Sequence, residues 1–346
     1  MKNMKAGLKT GVGGRFIPIP LDVLRLDSIV DFDLYIQSES SPAEAFRSHR
    51  ELFGRTGSTM APVLYRQRDL PFTEETLGRL RENQVEFLYL DATQESIYRR
   101  YVERNLGALL ADPHVDVQTK ATGLYASVHG LLKDVLAHPM AEDVVVRSKT
   151  FAEQTVSFML RERAALESLM RVMSTDYYTY THSVNVFVFC VALAQRVGMD
   201  PPVMTRFALG ALLHDIGKSK IDPSIINHKG KLSEEQWKVI KMHPVYGCEI
   251  LETHKVNDEI VLDVTRHHHE KLTGAGYPDG LRGGQISQYV RCATISDIFD
   301  ALTTKRAYKD ALKSYPALKL IKEEMAAELD PVLFQRFVLM VGNRSA

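Results

Sequence analysis

The sequence lacks several features that mark particular classes of protein. Its three cysteines, Cys190, Cys248 and Cys292, are odd in number and widely spaced, which argues against a disulfide framework and fits a reducing compartment. Neither sign of charge is in excess, with 43 basic and 43 acidic residues, so no overall field attracts nucleic acid. The most apolar run, Val186–Ala194, has about half the length of a membrane span. We therefore expect a cytoplasmic protein that binds neither a nucleic-acid polymer nor a membrane.

The first third of the chain has the pattern of a small mixed α/β domain. Short runs of β-branched and aromatic residues predict strands at 16–19, 33–36, 63–65 and 85–90. Thr73, followed by two glutamates, predicts the start of one helix, and a second is expected from Glu95 to Leu110. We assign residues 1–114 to this domain and infer from its position that it is a regulatory input.

The next segment, from Val115 to Met173, is helical in pattern and is interrupted at Pro139. An apolar stripe at helical spacing consists of Met159, Leu166, Leu169 and Met173. Such a stripe most often packs on its own core, and the alternative is the contact of a homodimer. We place a helical connector at 115–154 and an all-α bundle at 155–346, which makes the whole chain α+β.

Most of the twelve histidines lie at or beyond His182, and aspartates accompany them. The histidines and aspartates that stand in or at the ends of apolar helices are His182, His214, Asp215, His243, His267, His268, His269 and Asp297. A buried imidazole or carboxylate is costly without a partner, and one metal ion can satisfy several of them. His268 is in step with Ile260 and Val264, which places it on the buried face of its helix.

Each of these groups has a simpler interpretation when it is taken alone. His182 and His243 are acceptable helix-start residues, Asp297 is an acceptable cap, and the histidine triplet could be a solvated turn. His214 and Asp215 are harder to dismiss, because Gly217 suits a helix C-cap at which a site can open. The five groups together favour a metal site.

In chain order these groups resemble the HD-GYP domain, a subclass of the HD phosphohydrolase superfamily, over residues 155–343. The segments that carry the resemblance are 176–183, Leu213–Lys218, 229–233 with His243-Pro244, His268–Pro278, and Ser296–Thr303 with Arg306–Lys309. The region of resemblance covers more than half of the chain.

The resemblance implies a binuclear metal centre. One divalent ion is held by His182, His214, Asp215 and Asp297. The other is held by His243, His268 and His269, with Asp215 bridging the two ions. Iron or manganese is implied, and zinc also suits such ligands. Some relatives bind a third metal through a glutamate, but this chain has Tyr178 at that position, which favours two ions.

The resemblance also implies the substrate contacts. Lys218 neutralises phosphate charge, so Asp215 and Lys218 form the catalytic pair. The GYP loop, Gly276, Tyr277 and Pro278, touches the substrate. Arg306 and Lys309 hold phosphate or guanine, and the guanidinium is suited to two parallel hydrogen bonds.

The function implied is hydrolysis of cyclic di-GMP to linear pGpG by a metal-bridging hydroxide, with a second cut to GMP left open. Two alternatives stay open. The first alternative is a low-turnover cyclic-dinucleotide receptor or interaction module. It stays open because Thr273 replaces the acid or amide that the family often has before the GYP turn. An HD-type hydrolase of another nucleotide is the other, although the GYP loop and Arg306 favour a cyclic dinucleotide.

Overall fold

The computed structural model describes residues 15–21, 24, 28–36, 62–173, 179–228, 230–305 and 310–342. The chain divides into two compact units, one up to Gly123 and the other from Leu124. The division falls inside a helix, Val117–Ala137. The domain boundaries expected from the sequence, after residues 114 and 154, stay predictions.

The first unit contains six short strands, β1 (Phe16–Pro20), β2 (Ser28–Ile29), β3 (Leu34–Ile36), β4 (Val63–Arg66), β5 (Pro71–Phe72) and β6 (Phe87–Asp91). Four of them form an antiparallel sheet in the order β1-β6-β3-β4, and β2 pairs with β5. The longest ladder joins β1 to β6, with Phe16 opposite Asp91 and Pro20 opposite Phe87. These four strands correspond to the four expected from the sequence, whereas β2 and β5 are too short to give a recognisable pattern.

Two helices of this unit also match the expectation, α1 (Glu74–Glu82) and α2 (Glu95–Ala111). Thr73 caps α1, since its hydroxyl oxygen accepts from the Thr76 backbone N–H at 3.3 Å. The alternating inward residues of the strands form the core with the helices, and Ile19, Leu34, Leu88 and Leu90 are fully buried.

The remaining helices are α3 (Val117–Ala137), α4 (Val144–Arg161), α5 (Ala165–Val172), α6 (Thr179–Val197), α7 (Pro201–Leu213), α8 (Pro223–Ile226), α9 (Glu234–Ile240), α10 (His243–Thr253), α11 (Glu259–His267), α12 (Gln288–Thr303), α13 (Ser314–Glu324) and α14 (Pro331–Gly342). Among the described residues that follow Leu124 there is no β-strand, so the predicted α+β class with an all-α second part is confirmed. None of the described helices is long and apolar enough to cross a membrane.

The core of the second unit is built on α6, whose residues from Thr181 to Ala194 are all buried. A helix that is apolar on every side must be surrounded by other helices. Phe189 of α6 packs edge-on against Phe299 of α12 at 5.3 Å between ring centroids, and both rings contact Phe337 of α14. This aromatic cluster packs three helices against one another. Two of them, α6 and α12, carry His182 and Asp297.

The apolar stripe is divided between two helices, since Met159 lies in α4 and Leu166 and Leu169 lie in α5, and it is only partly covered by the chain itself. Met159 and Leu169 are buried, whereas Leu166 and Met173 are partly exposed. Packing on the chain's own core accounts for the first two residues. The dimer through this surface stays a prediction.

The expectation that Gly217 ends helix α7 as a C-cap is wrong. The C-cap position is His214, and Gly217 is a buried residue within a 3-10 turn, Ile216–Lys220. The glycine is needed for space instead, because a Cβ atom there would lie 1.9 Å from the His243 carbonyl oxygen and 2.5 Å from the Gly247 nitrogen. The turn that carries Asp215 thus packs directly on the backbone of α10.

We expect Gly217→Ala to destabilise the protein by about 1–3 kcal/mol or more, since the added methyl group meets backbone atoms that cannot rotate away. Thermal unfolding followed by circular dichroism measures the effect. Gly284→Ala is the matched control, because a Cβ there meets nothing within 4 Å. Equal melting temperatures for the two variants would show that the close backbone contact is not needed.

Candidate metal centre

Five helices bring the sequence-predicted ligands to one place. His182 lies in the first turn of α6, and His243 is the first residue of α10. His214 and Asp215 come directly after the last residue of α7. His268 and His269 come directly after the last residue of α11, and Asp297 lies within α12. All of them are buried except His269, whose side chain is 23% exposed. Side chains that are far apart in the sequence therefore share a buried site.

The ligand atoms form two clusters. His182, His214 and Asp215 make one, His243, His268 and His269 make the other, and in each the ligand atoms lie within 4.8 Å of one another. These are the two groups into which the sequence resemblance divides the histidines.

Asp215 faces both clusters with different oxygens. Its Oδ2 atom lies 3.4 Å from His214 Nε2 and 3.8 Å from His182 Nε2. Its Oδ1 atom lies 3.2 Å from His243 Nε2 and 4.0 Å from His268 Nε2. A carboxylate in this position has the geometry of a bridging ligand.

Asp297 also reaches both clusters. Its Oδ1 atom is 2.9 Å from His182 Nε2, and its Oδ2 atom is 3.4 Å from His269 Nδ1. The resemblance placed Asp297 with the first cluster alone. Its second oxygen therefore adds a contact that the sequence did not suggest.

Backbone carbonyls set the tautomers of three histidines. The Nδ1 atoms of His214 and His243 lie 2.7 Å from the carbonyl oxygens of Ala211 and Ile240. The Nδ1 atom of His268 is 3.0 Å from the Thr265 carbonyl oxygen. A carbonyl only accepts, so each Nδ1 carries the proton and each Nε2 turns a lone pair toward the site.

The donor set fits a cation. His243 Nε2 and His268 Nε2 lie 3.1 Å apart, and each carries a lone pair. Burial lowers the pKa of both imidazoles, so both rings stay neutral. His214 Nε2 and Asp215 Oδ1 are buried and have no hydrogen-bond partner within the part of the chain that the structure describes. A metal ion satisfies all of these atoms, and neutral imidazoles with carboxylates are suitable ligands for it.

The charge of the bridging carboxylate is favoured by its surroundings. Burial by itself would raise the pKa of the Asp215 carboxyl, but the ammonium group of Lys218 beside it holds that pKa well below the ordinary value. Lys218 Nζ donates to Asp215 Oδ2 at 2.6 Å. Asp215 is thus ionised at neutral pH, as a metal ligand must be.

Asp300, which was given no role from the sequence, orients His182. The Nδ1 atom of His182 lies 2.7 Å from Asp300 Oδ2, while Asp300 Oδ1 accepts from Asn185 Nδ2 at 2.8 Å and from Thr304 Oγ1 at 3.0 Å. A carboxylate behind a ligating histidine fixes its tautomer and its ring orientation. The available sequence signal was that Asp300 follows Asp297 by one helical turn.

The GYP loop lies beside the second cluster. The Tyr277 ring packs on the His269 ring, with 4.7 Å between centroids and planes inclined by 31°. Burial raises the pKa of Tyr277, so its hydroxyl group stays protonated and is able to donate a hydrogen bond. A Cβ atom on Gly276 would lie 2.4 Å from Glu270 Cα, so this position requires glycine.

Glu270 is a second residue whose role sequence reasoning missed. Its carboxylate is buried and accepts from the backbone N–H groups of Asp279, Gly280 and Leu281 at 2.7–3.0 Å. These bonds hold the chain that leaves the GYP loop. The signal was an acidic residue directly after the histidine triplet.

The remaining predicted residues lie elsewhere or outside the described residues. His267 contacts Asp263 and Asp279 at 2.7 and 2.9 Å instead of the clusters. Thr273 forms an isolated bridge with Arg282. Tyr178, Arg306 and Lys309 are outside the described residues, so their roles stay predictions.

Comparison with known proteins agrees with this geometry. The sequence model of the HD domain family matches residues 159–333, just over half of the chain. One curated relative is the Cyclic di-GMP phosphodiesterase PA4108 of Pseudomonas aeruginosa, 38% identical over 184 residues, which are 53% of this chain and 44% of the relative. Another is the 3'3'-cGAMP-specific phosphodiesterase 3 of Vibrio cholerae, 35% identical over 158 residues, which are 45% and 34% of the two chains. The chain thus spans less than half the length of either relative.

A solved structure shows the same fold. Bd1817, an HDG"Y"P protein from Bdellovibrio bacteriovorus, aligns with a TM-score of 0.64 over 94% of this chain and 99% of its own, at 24% identity. The family match confirms the recognition made from the histidine and aspartate motifs, and the chain belongs to the HD domain family.

Proposed function

We propose that this chain is a metal-dependent phosphodiesterase that hydrolyses cyclic di-GMP to linear pGpG, with a further cut to GMP as a second step. The observation that carries the proposal is the carboxylate of Asp215, which turns one oxygen toward each of two buried histidine clusters. Two metal ions that share one carboxylate are typical of phosphoester hydrolases. The names of the curated relatives support a cyclic dinucleotide as the substrate.

The proposed centre holds two divalent ions, iron or manganese, with zinc as the other candidate. His182, His214, Asp215 and Asp297 hold one, and His243, His268 and His269 hold the other with Asp215. When bound, such a pair of ions lowers the pKa of a shared water molecule and supplies a hydroxide at neutral pH.

The side chains of this chain supply binding and charge. Lys218, whose ammonium group is already at the centre, offsets negative charge that develops on the phosphate. The protonated hydroxyl of Tyr277 donates to a substrate oxygen beside His269. Arg306 and Lys309 are proposed to hold phosphate or guanine. The N-terminal domain is proposed as the regulatory input.

The receptor alternative requires a centre that binds without turnover. The set of seven described ligands, in which the tautomers of four histidines are set by a carbonyl or carboxylate, argues for an enzyme, because a receptor has no need of lone pairs that converge on cations. A hydrolase of another nucleotide is less favoured, since the two relatives act by name on cyclic di-GMP and 3'3'-cGAMP. Both are cyclic dinucleotides that contain guanine.

The central test replaces the bridging carboxylate. We expect Asp215→Ala to abolish hydrolysis of cyclic di-GMP and to lose at least one metal ion per chain, because Asp297 is then the one carboxylate left in the ligand set to offset the repulsion of two cations. Turnover, elemental metal content and circular dichroism are measured on one anaerobically prepared sample.

The control for this variant is Asp258→Ala. Asp258 is a true helix cap, whose carboxylate accepts from the backbone N–H groups of Ile260 and Val261. Its loss is expected to cost about 0.5–2 kcal/mol of stability and to leave activity unchanged. Near-parent turnover by Asp215→Ala would refute the binuclear mechanism.

A second test concerns the histidine that Asp300 orients. We expect Asp300→Asn to weaken metal binding by about 10- to 100-fold, since the amide is a weaker partner for the Nδ1–H group of His182. Competition with a chelator measures this affinity independently of activity. Unchanged affinity would leave Asp300 with a packing role only.

A third test separates substrate contact from metal binding. Tyr277→Phe keeps the ring on His269 but loses the hydroxyl group, so we expect a loss of roughly tenfold or more in kcat/KM with metal content unchanged. Loss of metal in this variant would contradict the role of the hydroxyl as a substrate contact.

A further inference from the structure

A cleft adjoins the candidate metal centre on the side of the GYP loop. Its volume is about 560 Å³, and the described residues that line it are Glu234, Trp237, Lys238, Lys241, Lys271, Ala275 and Tyr277. Tyr277 is shared with the centre, since the same ring packs on His269. The volume is typical of a cleft that binds a small molecule. A ligand with one end at the metals can therefore extend into it.

Helix α9 supplies one wall of this cleft. Glu234, Trp237, Lys238 and Lys241 are spaced i, i+3, i+4 and i+7, so they lie on one face of the helix. Ser233 fixes the start of the helix through a capping box with Gln236. Trp237 is 47% exposed although its side chain is large and apolar. Its indole is available to a planar ligand.

The described residues that line the cleft include three lysines and a single acid, Glu234, so positive charge is in excess. Lys238 and Lys241 form no ion pair with an acidic residue in the described parts of the chain, and Lys241 Nζ lies 5.4 Å from the centroid of the Tyr277 ring. Lys271, in contrast, is paired with Glu328 at 2.8 Å. Two ammonium groups without acidic partners favour an anion between them.

We infer that the cleft binds the second nucleotide of the substrate, with its base stacked on Trp237 and its phosphate beside Lys238 and Lys241. The inference rests on the proposed function. A cyclic dinucleotide has two phosphates, and when one is at the metals the other lies outside the centre and keeps its negative charge. Base stacking on an aromatic side chain contributes about 1–3 kcal/mol per base.

Glu234 indicates which base this cleft prefers. It is the one acid among the described lining residues, one turn from Trp237 on the same helix face. A carboxylate only accepts hydrogen bonds, and guanine presents N–H donors on the edge where adenine has an acceptor. We therefore assign guanine to this position.

The experiment uses the fact that Trp237 is the only tryptophan of the chain. The metal-loaded full chain is titrated with a phosphorothioate analogue of cyclic di-GMP that resists hydrolysis, and tryptophan fluorescence is recorded. A saturable quench is expected. Inorganic phosphate, which has no base, is expected to leave the fluorescence unchanged. An unchanged signal at saturating analogue, with binding shown by calorimetry, would overturn the inference.

Variants test the energetic contribution of the cleft. Trp237→Ala is expected to raise KM for cyclic di-GMP by about 5- to 150-fold with kcat nearly unchanged, and Trp237→Phe to restore most of the affinity. The double change Lys238→Ala with Lys241→Ala is expected to raise KM and to reduce its dependence on salt. Lys319→Ala is the control, an exposed lysine near Glu323 that does not line the cleft. Equal KM values for the lysine variants and this control would refute the phosphate contact.

Glu234→Gln tests the choice of base. It is expected to lower the preference for cyclic di-GMP over cyclic di-AMP, measured as the ratio of kcat/KM values, while Glu323→Gln leaves that ratio unchanged. An unaltered ratio in Glu234→Gln would refute the assignment of guanine to the cleft.

The outcomes separate this inference from the proposed function. Hydrolysis of cyclic di-GMP with a parental KM in Trp237→Ala would refute the cleft and leave the phosphodiesterase standing. Saturable quenching by the analogue, combined with no turnover of cyclic di-GMP itself by the same metal-loaded chain, would refute the enzyme and support a nucleotide-binding cleft.

Discussion

The arrangement of this site depends on one electrostatic constraint, the concentration of imidazole lone pairs and carboxylate oxygens in a buried place. Three histidines have their Nδ1–H groups bound to backbone carbonyls, so their Nε2 lone pairs must converge. Burial keeps His243 and His268 from relieving this repulsion by protonation, since it lowers the pKa of each. Cations relieve it, and the carboxylate of Asp215 lies between the two clusters to share them.

The fold meets this constraint by placing every proposed ligand except Asp297 at or directly after the end of an apolar helix. The helix centres provide rigid packing, as in the contact of Phe189 with Phe299, while the ends turn toward the site. The approach of the Asp215 turn to α10 is close enough that no side chain fits at Gly217. The last carbonyl oxygens of a helix have no partner within the helix. Here the carbonyl oxygens of Ala211, Ile240 and Thr265 accept hydrogen bonds from histidines and so orient the rings.

Much of the fold was predictable because the signals are local. Residue periodicity, secondary-structure propensity and turn residues within short stretches of sequence predict the four strands of the main sheet, the cap at Thr73 and the helical second part. The pair β2 and β5 was missed, because two residues cannot establish a period. The role of Gly217 was misread, because a glycine that ends a helix and a glycine that admits another backbone look the same in a sequence.

The sequence by itself determined the types of ligand and their order, because imidazoles and carboxylates are recognisable wherever they interrupt apolar helices. Tertiary structure decided which oxygen of Asp215 faces which cluster, that Asp300 and not a water or a carbonyl supports His182, and that Glu270 holds the segment after the GYP loop. It also decided that one face of α9 lies beside Tyr277. These relations join residues tens of positions apart, and only packing fixes their distances and directions.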